Sequence, residues 1–223
     1  MSKKVFIGVG HGGKDSGAIG LNGIYEKDLN LAIALSARAE LERHGIQVLV
    51  SRYKDENDSL QGEIKECNNF NPDLAIDFHN NAGGGDGFEA YFKKASGIAK
   101  MLADNIEREV IGIGQNSRRV KTKTNSVGKD WFGFVREIKC PSVLCEFAFV
   151  DTKDVEIIDT QAEQTTMGIA AAKGILRTLG IKWVAPVIEY HYIWVGKFKS
   201  EADADNCSKK ISELGAYNEV RKV

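Results

Sequence analysis

Apolar runs of strand length alternate with segments of helical periodicity along most of the chain. Residues 5–9 form an unbroken apolar and glycine run, which predicts a buried strand. A helix follows over 29–43, with Leu31, Ala34, Leu35, Ala39 and Leu41 on one stripe and Gly45 as its stop. The same reading predicts strands over 46–50, 74–78, 87–92 and 142–147. It predicts helices over 60–69, 98–110 and 162–179, the last ended by Gly180. Alternation of this kind implies an α/β protein with a mixed, mostly parallel sheet covered by helices on both faces. In such sheets ligands sit beyond the C-terminal ends of the strands.

The pattern breaks over 181–189, where one of only three prolines follows the long helix, and we read this stretch as a linker after a main domain of residues 1–180. Residues 190–195, 202–214 and 217–220 then read as strand, helix and strand. This βαβ-like unit, residues 190–223, is too small to bury a core alone.

Composition narrows the class. With 43% hydrophobic residues in 223, a sizeable core forms and disorder is not the default. Lys plus Arg number 30 against 31 Asp plus Glu, which argues against a chain built to hold nucleic acid or an anionic membrane surface. No apolar run reaches the length of a membrane span, so no membrane insertion is expected. The opening residues lack a signal-peptide core and cleavage site, and the expectation is synthesis in the cytoplasm. The cysteines, Cys67, Cys140, Cys145 and Cys207, form no C-x-x-C pair and read as small buried hydrophobes.

Polar residues at strand ends carry the candidate chemistry. His11 stands in Gly10-His11-Gly12-Gly13 after the first strand, and His79 follows the strand 74–78. Glu26 precedes the first helix, and Glu146 closes the run Val143-Leu144-Cys145. Two imidazoles and a carboxylate from separate loops match the His₂Glu ligand set of a catalytic zinc, which leaves a fourth position for water. Structural histidines remain the competing account at this level. His44 lies in the last turn of a helix, where a cation suits the dipole, and His191 reads as a strand surface residue. Gly8, Gly10 and Gly13 also satisfy G-x-G-x-x-G, the dinucleotide fingerprint, but a glycine-studded loop follows where a helix should open.

Six blocks in order resemble the zinc-dependent N-acetylmuramoyl-L-alanine amidases, across roughly residues 3–180. They are Gly10-His11-Gly12-Gly13-Lys14-Asp15-Ser16-Gly17, Glu26 through Asn30, Leu41 through Arg52, Asp77 through Ala82, Gly87 through Phe92, and Val143 through Phe149. The resemblance implies that His11, Glu26 and His79 hold one Zn²⁺ and that Glu146 is the catalytic base. The substrate would be bacterial peptidoglycan, cut between N-acetylmuramic acid and L-alanine. Asp77, Asn81 and Glu89 are expected around the site, in contact with substrate or behind the ligands. Three departures bear on substrate preference more than on the reaction: Glu63 where the family often has arginine, Asp77 in place of serine, and Ala148 in place of glycine.

The tail resembles half of a SPOR-type glycan-binding module through Tyr192-Ile193-Trp194-Val195-Gly196-Lys197-Phe198. The expectation is wall binding, or a homodimer in which two tails complete one sheet. Lacking a leader, such an enzyme resembles a phage endolysin released through a holin-type pore, or an autolysin freed when a mother cell lyses. Rival readings are another zinc peptidase or deacylase, such as a cell-wall carboxypeptidase, a nucleotide-dependent oxidoreductase, and a non-catalytic wall-binding protein.

Overall fold

The computed structural model describes residues 2–186 and 198–213. The chain divides into two compact units, Met1–Val184 and Ala185–Val223. The first holds a six-stranded sheet in the order β2-β1-β3-β6-β4-β5. Its strands are β1 (Lys4–Val9), β2 (Gln47–Val50), β3 (Leu74–Asn81), β4 (Phe88–Phe92), β5 (Ser117–Lys121) and β6 (Ser142–Phe149). Strands β2, β1, β3 and β6 run parallel, while β4 pairs antiparallel to β6 and β5 follows β4.

The mixed, mostly parallel α/β sheet is the architecture the periodicity implies. Two elements escaped it. β5, Ser-Arg-Arg-Val-Lys, has one apolar residue, and α4 (Gly133–Glu137) is barely one turn. Three boundaries also move. β3 continues through His79 to Asn81, α1 (Glu26–Arg43) begins at Glu26 itself, and β6 runs on to Phe149. Glu146 therefore lies inside a strand, beside His79 and Glu89 in register, and not at a strand end.

The two faces of the sheet are covered unequally. One carries the main core, where Val5, Ile7, Ile76, Phe78, Val143, Cys145 and Phe147 pack with α1, α3 (Gly97–Ile111) and α5 (Gln161–Thr178). The other carries a small cluster of Phe6, Ile64, Cys67, Ala75, Phe134 and Ile138, under α2 (Leu60–Phe70) and α4. Side chains alternate across a strand, so the residues two beyond Phe6 and Ala75 on this thinly covered face are Gly8 and Asp77. His79, Glu146 and Glu89 continue that row.

The chain enters at β1, crosses by α1 to β2 on one side, and returns by α2 to β3 on the other. The topological switch point, where such sheets bind ligands, is thus the crevice between the C-terminal ends of β1 and β3. His44 stands at the C-terminal end of α1, where its Nε2 accepts the Val184 amide at 3.0 Å and its Nδ1 faces the Glu40 carbonyl at 2.9 Å. In the second unit α6 (Glu201–Glu213) begins at Ser200, whose Oγ accepts the Asp203 amide at 3.2 Å. The strands predicted at 190–195 and 217–220, and His191, lie outside the described residues. No described helix is long and apolar enough to cross a membrane.

Close helix packing depends on small residues in α5. A Cβ on Gly168 would lie 2.5 Å from the Ile33 carbonyl oxygen and 2.8 Å from the Ala37 nitrogen, backbone atoms of α1 that cannot turn aside. Gly168→Ala is expected to cost about 1–3 kcal/mol by overpacking. Chemical denaturation reads this, and an unchanged midpoint would mean that α1 and α5 separate more easily than this packing implies.

Candidate metal centre

His11 and His79 face each other across the switch-point crevice with ring centroids 5.1 Å apart. Glu26, in the first turn of α1, lies between them. Its Oε2 is 3.2 Å from His11 Nε2 and its Oε1 is 3.0 Å from His79 Nδ1. One donor atom from each residue falls within 4.8 Å of the others, the only such cluster of three among the described residues. Each histidine turns its other nitrogen to an aspartate. Asp15 Oδ2 is 2.8 Å from His11 Nδ1, and Asp77 Oδ2 is 3.5 Å from His79 Nε2. Carboxylates behind both imidazoles fix the ring orientation and raise the basicity of the inward nitrogens, as metal-ligating histidines require.

Glu26 is almost fully buried and is saturated with donors. The Ala18 amide reaches Oε2 at 3.0 Å, and the Asn80 amide and Asn30 Nδ2 reach Oε1 at 3.2 and 3.3 Å. Asn30 also donates to the Gly10 carbonyl at 3.0 Å and accepts Asn80 Nδ2 at 2.8 Å. Arg52 is 1% exposed and donates to the carbonyls of Val9, Gly10 and Lys27 at 3.2, 3.3 and 2.7 Å. It therefore ties the end of β1 to the start of α1. His11 is held with φ at 64°, a left-handed conformation that non-glycine residues seldom adopt outside functional sites. Gly10 is required by close approach, because a Cβ there would lie 2.2–2.5 Å from the His79 ring.

The electrostatics favour a cation. Burial opposes ionisation of Glu26, yet hydrogen bonds from His11 and His79 hold its pKa below the ordinary value. His11 is raised, first by its bond to Glu26, against burial. Burial works against charge on His79 too, but Asp77, Glu26 and Glu146 lift its pKa well above the usual imidazole range. Both shifts favour positive charge at the two imidazoles. Two imidazoles and one carboxylate are the donor set of a zinc site with one open position, and the aspartates behind the two rings fit that assignment.

Glu146 is half-buried, and its Oε2 is buried without a partner. Burial pushes its pKa up to about 7, with His79 pulling the other way and Glu26, Glu89 and Asp77 adding to the rise. Glu89, its register neighbour on β4, is held ionised by Lys121 at 2.8 Å, Tyr91 Oη at 2.9 Å and Arg118 at 3.2 Å, and its pKa is lowered despite burial. Asn81 donates to Glu89 at 3.0 Å. Asn81 and Glu89 therefore join a network flanking Glu146, whereas Asp77 stands behind His79. Sequence reasoning assigned no role to Asp15, Asn30, Arg52 or Asn80, although all four stood inside motif blocks where a role was there to be sought.

A doubly wound α/β unit with a His-Glu-His cluster at its switch point and a buried carboxylate alongside defines a candidate metallohydrolase. Residues 5–177 match the Amidase_3 family, N-acetylmuramoyl-L-alanine amidase, and the chain belongs to that family. It is 33% identical over 216 residues to the sporulation-specific N-acetylmuramoyl-L-alanine amidase of Bacillus subtilis strain 168, spanning 95% of this chain and 82% of that protein. It is 33% identical over 192 residues to the endolysin of Bacillus phage SPP1, spanning 82% of this chain and 68% of the endolysin. The catalytic domain of CwlV, an N-acetylmuramoyl-L-alanine amidase from Bacillus (Paenibacillus) polymyxa var. colistinus, superposes with a TM-score of 0.73. It is 27% identical and spans 81% of this chain and 99% of that one.

Asp15 is mostly exposed and remote from the core, so its role can be tested without unfolding the protein. Asp15→Asn is expected to weaken zinc binding by about 10–100-fold, the usual cost of losing a carboxylate behind a ligating histidine. Competition with a chromophoric chelator measures this; unchanged affinity would show that His11 needs no such support.

Proposed function

We propose that this protein hydrolyses the amide bond between N-acetylmuramic acid and L-alanine of peptidoglycan, with zinc held by His11, Glu26 and His79 and with Glu146 as general base. The observation that carries the reading is the convergence of those three donors beside a buried carboxylate whose Oε2 has no partner. When bound, zinc polarises the scissile carbonyl and lowers the pKa of a coordinated water to about 7. Glu146 takes a proton from the attacking water at Oε2 and delivers it to the leaving alanine nitrogen. A pKa raised by burial suits both transfers, because the carboxylate binds the proton without holding it too tightly. Glu26 and its donors keep the ligand cluster rigid, and Asp15 and Asp77 orient the two rings. Asn81 and Glu89, with Lys121 and Arg118, keep a charged wall beside Glu146 that orients the substrate.

Access to the wall follows, in this reading, from lysis of the cell that makes the protein, the circumstance implied by kinship with a sporulation-specific amidase and a phage endolysin. The C-terminal unit binds glycan or pairs with a second copy. Light scattering across a concentration series tests the pairing, and a monomer at every concentration would remove it.

Digestion of purified peptidoglycan is expected to release new L-alanine amino ends without new reducing sugars, to stop on chelation and to recover with zinc. Release of single amino acids would instead favour a carboxypeptidase. Glu146→Gln should keep its zinc and lose about 10²–10⁴-fold in rate. Near-normal turnover of the zinc-loaded variant would move the base elsewhere.

A further inference from the structure

Two thiols outside the metal centre meet under the thinly covered face of the sheet. Cys67, fully buried on α2, packs with Phe6, Ile64, Ala75, Phe134 and Ile138, and Cys140, half-exposed, packs against the same cluster. The backbones that carry them are clasped together. Asn68, next to Cys67, donates to the Glu137 carbonyl at 3.2 Å and accepts the Lys139 amide at 2.9 Å. Beyond Cys140, the Pro141 carbonyl accepts the Ala75 amide of β3 at 3.0 Å. Within this clasp the two thiols come near enough to perturb each other, Cys67 upward in pKa and Cys140 downward. The other two cysteines are elsewhere: Cys145 is buried on the opposite face, and Cys207 belongs to the second unit.

We propose that Cys67 and Cys140 are a thiol-exchange site for small-molecule disulfides, closing a bridge that pins α2 to the segment entering β6. The two cysteines have unequal parts. Cys140 is the accessible thiol, and its pKa is lowered first by the hydrogen bond from Cys67, with the Lys93 ammonium nearby adding to the effect. Cys67 is raised, by the same hydrogen bond and by burial. The Cys140 thiolate attacks one sulfur of a disulfide RSSR; the S–S bond breaks, RS⁻ leaves and takes up a proton, and a mixed disulfide forms. Cys67 then loses its proton and attacks the Cys140 sulfur, displacing the second RSH. The protein gives up two electrons and two hydrogens, and RSSR becomes two RSH. Inside a reducing cytoplasm the pair stays as thiols, and an oxidising exterior closes it. The bridge encloses residues 67–140, which include His79, and restrains that loop in the unfolded chain.

The test treats the full-length protein with oxidised glutathione, alkylates it under denaturing conditions and maps the peptides by mass. Cys67 and Cys140 should leave the alkylated pool together, linked and lighter by two hydrogens, while Cys145 remains alkylatable. The melting temperature should rise by several degrees, fall back on reduction, and stay unchanged in Cys140→Ser. Cys67→Ser should stop at a stable glutathione adduct on Cys140. A wild-type protein that keeps glutathione on Cys140 with Cys67 free would overturn the proposal. So would two unreacted thiols under conditions that modify Cys207.

Discussion

A carboxylate buried between two imidazoles is the constraint on which the rest of this structure depends. An unpaired charge at the depth of Glu26 would cost several kcal/mol. It is tolerated because five donors converge on its two oxygens: His11, His79, Asn30 and the amides of Ala18 and Asn80. The donors come from four stretches of chain, so satisfying one side chain fixes the end of β1, the glycine loop, the start of α1 and the end of β3 together. Arg52 completes the arrangement by donating to the carbonyls of Val9, Gly10 and Lys27. Loss of any one partner leaves a buried charge exposed to its neighbours, which makes the centre brittle and well defined.

The unequal covering of the sheet serves this constraint. Three long helices on one face bury the main core and hold the strands rigid, so that the ligand-bearing strand ends keep their spacing. The other face has only α2 and the single turn of α4, and beyond them His79 and Glu146 stay partly exposed, with Asp77 and Glu89 buried on either side of them in the row. A fully wrapped sheet would have buried His79 and Glu146 as well.

What could be read in advance was what repeats or what breaks a pattern. Five strands were legible as apolar runs, and His11, His79 and Glu146 stood out because a polar residue interrupts or ends such a run. β5 was hidden because an edge strand with Arg118, Arg119 and Lys121 has no apolar alternation to detect. Asn30, Asn80 and Arg52 were hidden for a different reason. They act through hydrogen bonds to groups 20 to 54 positions away, and local composition says nothing about such closures. Asp15 was visible as part of a block, but its task depends on the left-handed turn at His11 that brings it back onto the ring. The antiparallel reversal at β4 has no sequence signature, yet it is what sets Glu89 beside Glu146.

Two of the three departures from the family pattern, Glu63 and Asp77, gather in one place and change the charge there. Glu63 and Asp77 are both buried, and each has an oxygen without a partner. Those two oxygens converge above Gly8, where a Cβ would lie 2.4 and 2.6 Å from them. Burial and the nearness of Asp77 raise Glu63 well above the ordinary carboxylate range, so this acid resists ionisation beside its neighbour. An arginine at that position would bring a positive charge against the back of the centre. A carboxyl that resists ionisation brings none, which leaves the two histidines, and whatever cation they hold, as the positive partners of Glu26. The effect is to make the cluster's hold on a cation the dominant electrostatic term of the site. Proton and metal compete directly for the same two imidazoles.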